Sequence, residues 1–308
     1  MPSLRSQLVI AFLRMTQRKR TYASLRGLHD GIRQVRQAGP ALPSAGMRRR
    51  IAIREQHLAG VPVYHLSPRA SALSGRHLLY LHGGAYVRPI TRHHWRFLCE
   101  LVERSGVTLS VPLYPLAPES ACRQTVATVR EVYQQLCVQA RLPALGLMGD
   151  SAGGGLALAL CHALHEQGAV LPEELVLICP WLDVRMQHAA IAASESDDPM
   201  LAAIGLREAG RLYAGELGTD HPHVSPIEGD PDGLPPMLIF VGTRDIACHD
   251  ALLFAERCRA AGGQVECVVG EGMIHVWPIL PIPEGRQALA KIVRRLGSRV
   301  LEEGRNVS

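Results

Sequence analysis

Three reactive side chains stand where short apolar runs break off. Ser151 follows the run Leu145 to Met148, inside Gly149-Asp150-Ser151-Ala152-Gly153, and Leu156-Ala157-Leu158-Ala159-Leu160 comes after it. Asp245 lies just past the run that ends at Val241, and His275 past the one that ends near Val269. A serine hydroxyl is a weak nucleophile alone. An imidazole beside it can take its proton, and a carboxylate can hold that imidazole in one tautomer. The same chemistry needs N–H donors where negative charge develops. Gly83 and Gly84 follow His82 at the end of another apolar run and carry no side chains. Their amides, with that of Ala152, make a candidate oxyanion hole. The pattern points to acyl transfer with Ser151 as nucleophile, His275 as base and Asp245 as the orienting acid.

Other readings compete for the same residues. A phosphate-binding loop needs a lysine after its glycines, and none follows Gly153-Gly154-Gly155. A dinucleotide turn wants glycine where Asp150-Ser151 stands, and it belongs in a first βα unit. The Gly-x-Ser-x-Gly spacing between strand and helix instead describes a tight corner whose flanking residues must be small. The helix start behind it adds partial positive charge. Asp250 competes with Asp245, but its position falls inside the following helix. His82 reads as a structural hydrogen-bonding residue, and Asp150 and Glu119 as stabilisers of the loops. The pairs His93-His94 and His221-x-His223 lack an ordered third ligand, so no metal is expected. Tyr86, Met200, Leu206 and Tyr213 are candidates to line a pocket, against the plainer reading that such residues pack.

The elements that must carry these residues follow from periodicity. Residues 1–38 are helical in two pieces, and Pro40 and Pro43 end them. Alternation at Ile51, Ile53, Val61 and Val63 predicts a β-hairpin around Ala59-Gly60. From His77 onward, apolar strands alternate with helices to the end of the chain, which predicts an α/β fold with a mostly parallel sheet covered on both faces. With the hairpin the strands number eight. The stretch 183–225 breaks the rhythm and holds one predicted helix between polar loops. The expected division is therefore a catalytic domain from 46–182 and 226–308, an amino-terminal helical cap part at 1–45, and an inserted cap part at 183–225. Both cap parts would cover the carboxyl ends of the strands, where open α/β sheets place their sites.

Composition narrows the function classes. The chain has 308 residues, 47% of them hydrophobic, 5% aromatic, with a formal net charge of +5. Length and hydrophobic content suit a soluble globular protein with a large core. No basic stripe with interleaved aromatics marks a nucleic-acid binder. The 8 cysteines form no CxxC pair and sit in apolar patterns, so a reducing, cytoplasmic setting is expected. The apolar run from Leu8 to Leu13 is too short to span a membrane, and Arg14, Arg18, Lys19 and Arg20 follow it closely. It is read as an amphipathic helix that lies on the rest of the protein, with contact to a membrane surface as the second option. No stable membrane insertion is expected.

The motifs together resemble the hormone-sensitive-lipase family of α/β-hydrolases, from about residue 50 to the end. His82-Gly83-Gly84 and Gly149 to Gly154 resemble its HGG and GDSAGG segments, and the order Ser, Asp, His is that of α/β-hydrolases. "YPLAPE" at Tyr114 to Glu119, "HPHVSPI" at His221 to Ile227, "GTRDIACHD" and "GMIHVW" resemble further family segments. The resemblance implies an α/β-hydrolase fold with a helical cap. It also implies a serine carboxylic ester hydrolase for short- to medium-chain acyl esters, working through an acyl-enzyme without metal or organic cofactor. Amide or N-acetyl hydrolysis by the same triad, or a binding protein that lost catalysis, are the alternatives. Two departures stand out: Ala85 where the family has a third glycine, and Pro115 where it has an arginine. The family also suggests a homodimer, through the last strand or the amino-terminal helices.

Overall fold

The computed structural model describes residues 2–69 and 74–303; residues 70–73 and 304–308 of the expected catalytic span and residue 1 of the expected amino-terminal cap part lie outside the described residues. The strands are β1 (Ile51–Leu58), β2 (Val61–Pro68), β3 (His77–Leu81), β4 (Thr108–Pro112), β5 (Gly146–Asp150), β6 (Leu175–Ile178), β7 (Met237–Gly242) and β8 (Val265–Gly270). The helices are α1 (Leu4–Met15), α2 (Leu25–Ala38), α3 (Ala45–Arg50), α4 (Arg92–Ser105), α5 (Cys122–Ala140), α6 (Ala152–His165), α7 (Ile191–Ser194), α8 (Ala203–Ala214), α9 (Cys248–Ala260) and α10 (Pro283–Glu303). All eight strands join one sheet in the order β1-β2-β4-β3-β5-β6-β7-β8. The hairpin turns at Ala59-Gly60, where both residues have positive φ, 47° and 79°, the geometry that matches strand twist in a two-residue turn. β2 runs antiparallel to both β1 and β4, and the remaining neighbours run parallel.

Period-two alternation splits the strands between two cores. Leu79, Leu81, Leu147, Leu177 and Ile239 face α5, α6, α8 and α9. Leu78, Tyr80, Met148, Val176 and Phe240 face α4 and α10. Burying a leucine or phenylalanine fully contributes about 1.5–3 kcal/mol, so each strand binds both layers. Helix α6 is buried from Ala152 to Leu164, not along a stripe as its Leu-Ala alternation suggests. It lies between the sheet on one side and α5 and the Pro226 turn on the other, and His162 Nε2 donates to the Pro226 carbonyl at 3.1 Å.

The two stretches outside the sheet meet each other. The backbone of Tyr22 accepts a 2.9 Å hydrogen bond from Gly205 N in α8. His29 of α2 bonds Glu208 of α8 at 3.1 Å. The insertion differs from the single helix expected: α7 and α8 are separated because Asp198 takes the amides of Met200 and Leu201 at 2.7 and 2.9 Å, a turn closed by a side chain where a helix would need them. Helix α1 also departs from expectation. Of its apolar run Ile10 is buried, while Leu8 and Phe12 are 70% and 57% exposed. Polar bonds add to the contact of Ile10 and Val9: Ser3 N, Ser3 Oγ and Ser6 Oγ all donate to the Glu284 carboxylate of α10.

Candidate active site

The parallel strands deliver their reactive residues to one edge of the sheet. Ser151 follows β5, the His82-Gly83-Gly84-Ala85 turn follows β3, Asp245 follows β7 and His275 follows β8. Strand and helix pass closely at Ser151. A Cβ on Gly149 would lie 2.3 Å from the Gly153 carbonyl oxygen, and one on Gly153 would lie 2.0 Å from that of Leu81. Ser151 itself has φ 52° and ψ −122°, a conformation a non-glycine residue adopts only under constraint. Backbone bonds impose it: Ser151 N donates to Ile178 O at 2.9 Å, and Ser151 O accepts from Gly155 and Trp181. The side chain is thereby turned out of the corner.

His275 Nε2 lies 2.8 Å from Ser151 Oγ, and its Nδ1 lies 2.7 Å from Asp245 Oδ2. With Nδ1 donating to the carboxylate, Nε2 is the free acceptor for the serine proton. Asp245 and His275 are both buried. The Ala247 amide occupies Asp245 Oδ1 at 2.9 Å. Burial alone would push the His275 imidazole down, but Asp245 in contact, with Asp198 and Asp150 beyond, outweighs it and holds the pKa above the usual histidine value. Asp250, the competing acid, lies within α9; burial pushes its carboxyl up to about 7, helped by Asp183.

The oxyanion assignment needs one correction. Gly83 N donates to Asp150 Oδ1 at 2.9 Å, so that amide is already spent. Asp150 also accepts from Tyr80 Oη at 2.5 Å and His94 Nε2 at 3.2 Å. Burial would raise its carboxyl, but these donors hold it below the ordinary value. The amides of Gly84 and Ala152 make no hydrogen bond among the described residues, and neither does the next one, Ala85. Gly84, Ala85 and Tyr86 all have positive φ, at 131°, 53° and 60°. A side chain on Gly84 would meet the Arg88 carbonyl at 2.3 Å. Ala85 thus stands where a third glycine was expected and still offers its N–H.

The loops around the turn are tied as the sequence anticipated, by partly different groups. His82 Nδ1 donates to Gly83 O at 2.7 Å and its ring stacks on Tyr114. Burial, with His94 beyond it, pulls the His82 pKa down to about 4, so it stays neutral. Glu119 does not join this network. It pairs with Arg36 of α2, whose guanidinium also donates to Val87 O and Ala117 O at 2.8 and 2.7 Å. Arg36 therefore braces the loop in which Pro115 stands. The histidine pairs are also spent on protein: His94 Nδ1 accepts from Thr91 N at 3.0 Å, and His223 Nε2 bonds Glu166 at 3.0 Å.

Two residues at the site escaped the sequence reading. Cys179 ends β6 just as Ser151 and Asp245 end their strands, with φ 45°. Burial, reinforced by Asp245, pushes its thiol pKa well up, and its sulfur lies within 4.8 Å of the ligand atoms of Asp245 and His275. It therefore sits between the acid and the histidine of the relay. Asp198 Oδ2 accepts from Ile246 N at 3.1 Å, beside Asp245. Burial first, then the Asp245 charge, raises its carboxyl. The signal for Cys179 was its place at a strand's carboxyl end; for Asp198 it was an acid directly before Pro199 and an apolar pair, Met200-Leu201.

A cavity of about 140 Å³ opens at Ser151 and His275. Met200 and Leu206 line it, as expected. Tyr86 and Tyr213 do not: their rings stack at 3.6 Å with centroids buried beside Trp181.

Comparison with known proteins agrees with this geometry. A family model described as the α/β-hydrolase fold matches residues 78–279. An acetyl-hydrolase of Streptomyces hygroscopicus is 35% identical over 229 residues, covering 72% of this chain and 75% of its own. An esterase of Acinetobacter venetianus is 32% identical over 246 residues, covering 79% and 80%. The crystal structure of an esterase from the bacterial hormone-sensitive lipase family superposes with a TM-score of 0.82 at 28% identity, over 97% of this chain and 99% of that one. Sheet order and these likenesses place the chain in the hormone-sensitive-lipase family of α/β-hydrolases.

Proposed function

We propose that this protein is a serine carboxylic ester hydrolase acting on esters of short acyl chains. The observation that carries the reading is the relay from Ser151 Oγ to His275 Nε2 at 2.8 Å and from His275 Nδ1 to Asp245 at 2.7 Å. The small cavity at Ser151 and the names of the esterase and acetyl-hydrolase relatives support it. His275 takes the Ser151 proton as Oγ bonds to the ester carbonyl carbon. The amides of Gly84, Ala85 and Ala152 receive the developing oxyanion, and losing one such donor costs about 3 kcal/mol of transition-state stabilisation. The C–O bond to the alcohol breaks, and His275 returns the proton to the departing oxygen. Water then repeats the sequence on the acyl-enzyme, releasing acid and serine. Asp245 stays ionised and holds the imidazole tautomer. The reading uses no metal or cofactor.

The helices α2, α7 and α8 with the Arg18–Tyr22 segment serve in this proposal as a cap that shapes the acyl and alcohol sites. The described residues include no helix long and apolar enough to cross a membrane, and the eight cysteines are unpaired; a cytoplasmic setting fits both. A homodimer through β8, an edge of the sheet, belongs to the same proposal. A second reading, removal of an N-acetyl group, draws on the name of the Streptomyces relative.

An organophosphate ester should add its phosphoryl mass to Ser151 and abolish turnover of 4-nitrophenyl acetate, and Ser151→Ala should show neither reaction. Labelling elsewhere, or turnover retained in Ser151→Ala, overturns the assignment. Paired acetate esters and acetamides decide between the two readings.

A further inference from the structure

Arg88 emerges one turn beyond the oxyanion amides. Its own N–H donates to Gly84 O at 2.8 Å, and its side chain runs to α2, where Nη1 lies against Gly31. The guanidinium is half-buried and lines the catalytic cavity with Arg18 and Tyr22. Among the described residues no carboxylate pairs with it and no hydrogen bond occupies its side chain. The titratable groups that bear on it are Tyr22, which also faces the cavity, and Arg18, a second cation. Arg76, Arg185 and Arg36, also partly buried, pair with carboxylates, of Glu174, of Asp183 and Glu228, and of Glu119, and Arg96 and Arg257 are taken by the carbonyls of Ile279 and Ile227. Asp150 is the one acid in the cavity lining, and its oxygens are taken by Tyr80, Gly83 and His94. A guanidinium withdrawn from water without a counter-charge is costly unless an anion completes it. Its planar fork matches a carboxylate in two parallel bonds.

We infer that the catalytic cavity takes small esters that carry a free carboxylate, held by Arg88 with Tyr22 and Arg18 at the rim. This rests on the ester-hydrolase reading and adds the charge of its substrate. A cavity of about 140 Å³ leaves room for a short acyl or alcohol part between Ser151 and the arginine.

The experiment uses two matched pairs. The mono-4-nitrophenyl ester of succinate is set against 4-nitrophenyl butyrate, and 4-acetoxybenzoate against 4-acetoxybenzamide, each corrected for spontaneous hydrolysis. The wild-type protein should favour the charged member of at least one pair in kcat/KM. Arg88→Met should lower the charged-to-neutral ratio by about tenfold or more, the scale of a lost charge-assisted pair. Arg88→Lys should restore part of the ratio, and Arg18→Gln, at an exposed site where folding is not at risk, should lower it less. A wild type that turns over the neutral members as well as or better than the charged ones overturns the inference and leaves the ester-hydrolase reading standing. So does an Arg88→Met protein whose ratio is unchanged. A wild type that turns over no member of either pair overturns the underlying reading as well.

Discussion

The two walls of the catalytic cavity are built differently. The wall formed by the sheet ends has its charged and titratable side chains committed, Asp150 to three donors and His275 to Ser151 and Asp245, and leaves the Gly84, Ala85 and Ala152 amides open. The facing wall, from Arg18, Tyr22, Met200, Leu201 and Leu206, is apolar or cationic and makes few polar bonds. Chemistry needs atoms held within fractions of an ångström, and a parallel sheet with buried strand ends supplies that. Selection of a substrate needs shape and charge, which two short helices and a turn supply on a less constrained surface. In the proposed mechanism the wall that does chemistry is set by motifs, and the wall proposed to select is set by packing of distant segments. Substitutions should separate the two in size and kind.

The largest effect belongs to the sheet-end wall. Asp245→Asn keeps the shape but turns an acceptor into a donor beside His275 Nδ1. The imidazole then favours the tautomer with its proton on Nε2, the nitrogen that must accept from Ser151. The fall in kcat should be about 10⁴-fold with little change in KM. A kcat within tenfold of wild type would show that another acid, with Asp250 and Asp198 the nearest by position, does this work.

Much of that wall is legible in the sequence because it depends on local rules. Glycines at Gly149 and Gly153 mark the corner, and strand ends before His82, Asp245 and His275 mark the ligating positions. The hairpin at Ala59-Gly60 follows from alternation and turn chemistry. What was not legible depends on side chains arriving from far along the chain. The Gly83 amide looks free in its motif, and only the inward turn of Asp150 shows that it is spent. Tyr86 sits next to the oxyanion turn in sequence, yet its ring leaves the cavity to stack on Tyr213 of α8. Helix α6 shows a stripe in its letters but is enclosed on all sides by elements that a periodicity count does not include.

Asp198→Asn probes the seam between the walls, since Asp198 holds Met200 and Leu201 on one side and Ile246 on the other. The amide retains one acceptor for the first two but faces Ile246 N with N–H, which loses a hydrogen bond and adds a clash of donors. kcat/KM should fall about tenfold, the equivalent of one charged hydrogen bond. The pH profile discriminates position from charge. Asp198 is among the anions that raise the His275 pKa, and the base works only when neutral. Removing the charge lowers that pKa, so the acidic limb of kcat/KM should move to lower pH by about half a unit. A fall in activity with the limb unmoved would restrict Asp198 to holding the turn.

The smallest effect is expected farthest from both walls, on α1. Its Leu8 and Phe12 are mostly exposed, whereas Glu284 collects three donors from Ser3 and Ser6 at the start of the helix. Ile10 and Val9 give α1 a narrow apolar contact with the core, and the polar anchor at Glu284 adds to it. Leu8→Ser with Phe12→Ser should change unfolding free energy by less than about 0.5 kcal/mol each, as for other exposed positions. Glu284→Ala should loosen the helix, seen as faster amide exchange from Leu4 to Met15, with esterase kcat within twofold of wild type. A double serine variant that unfolds several degrees lower in dilute monomeric protein would mean that the apolar face of α1 is covered in solution, and a second copy of the chain would then be the first candidate to cover it.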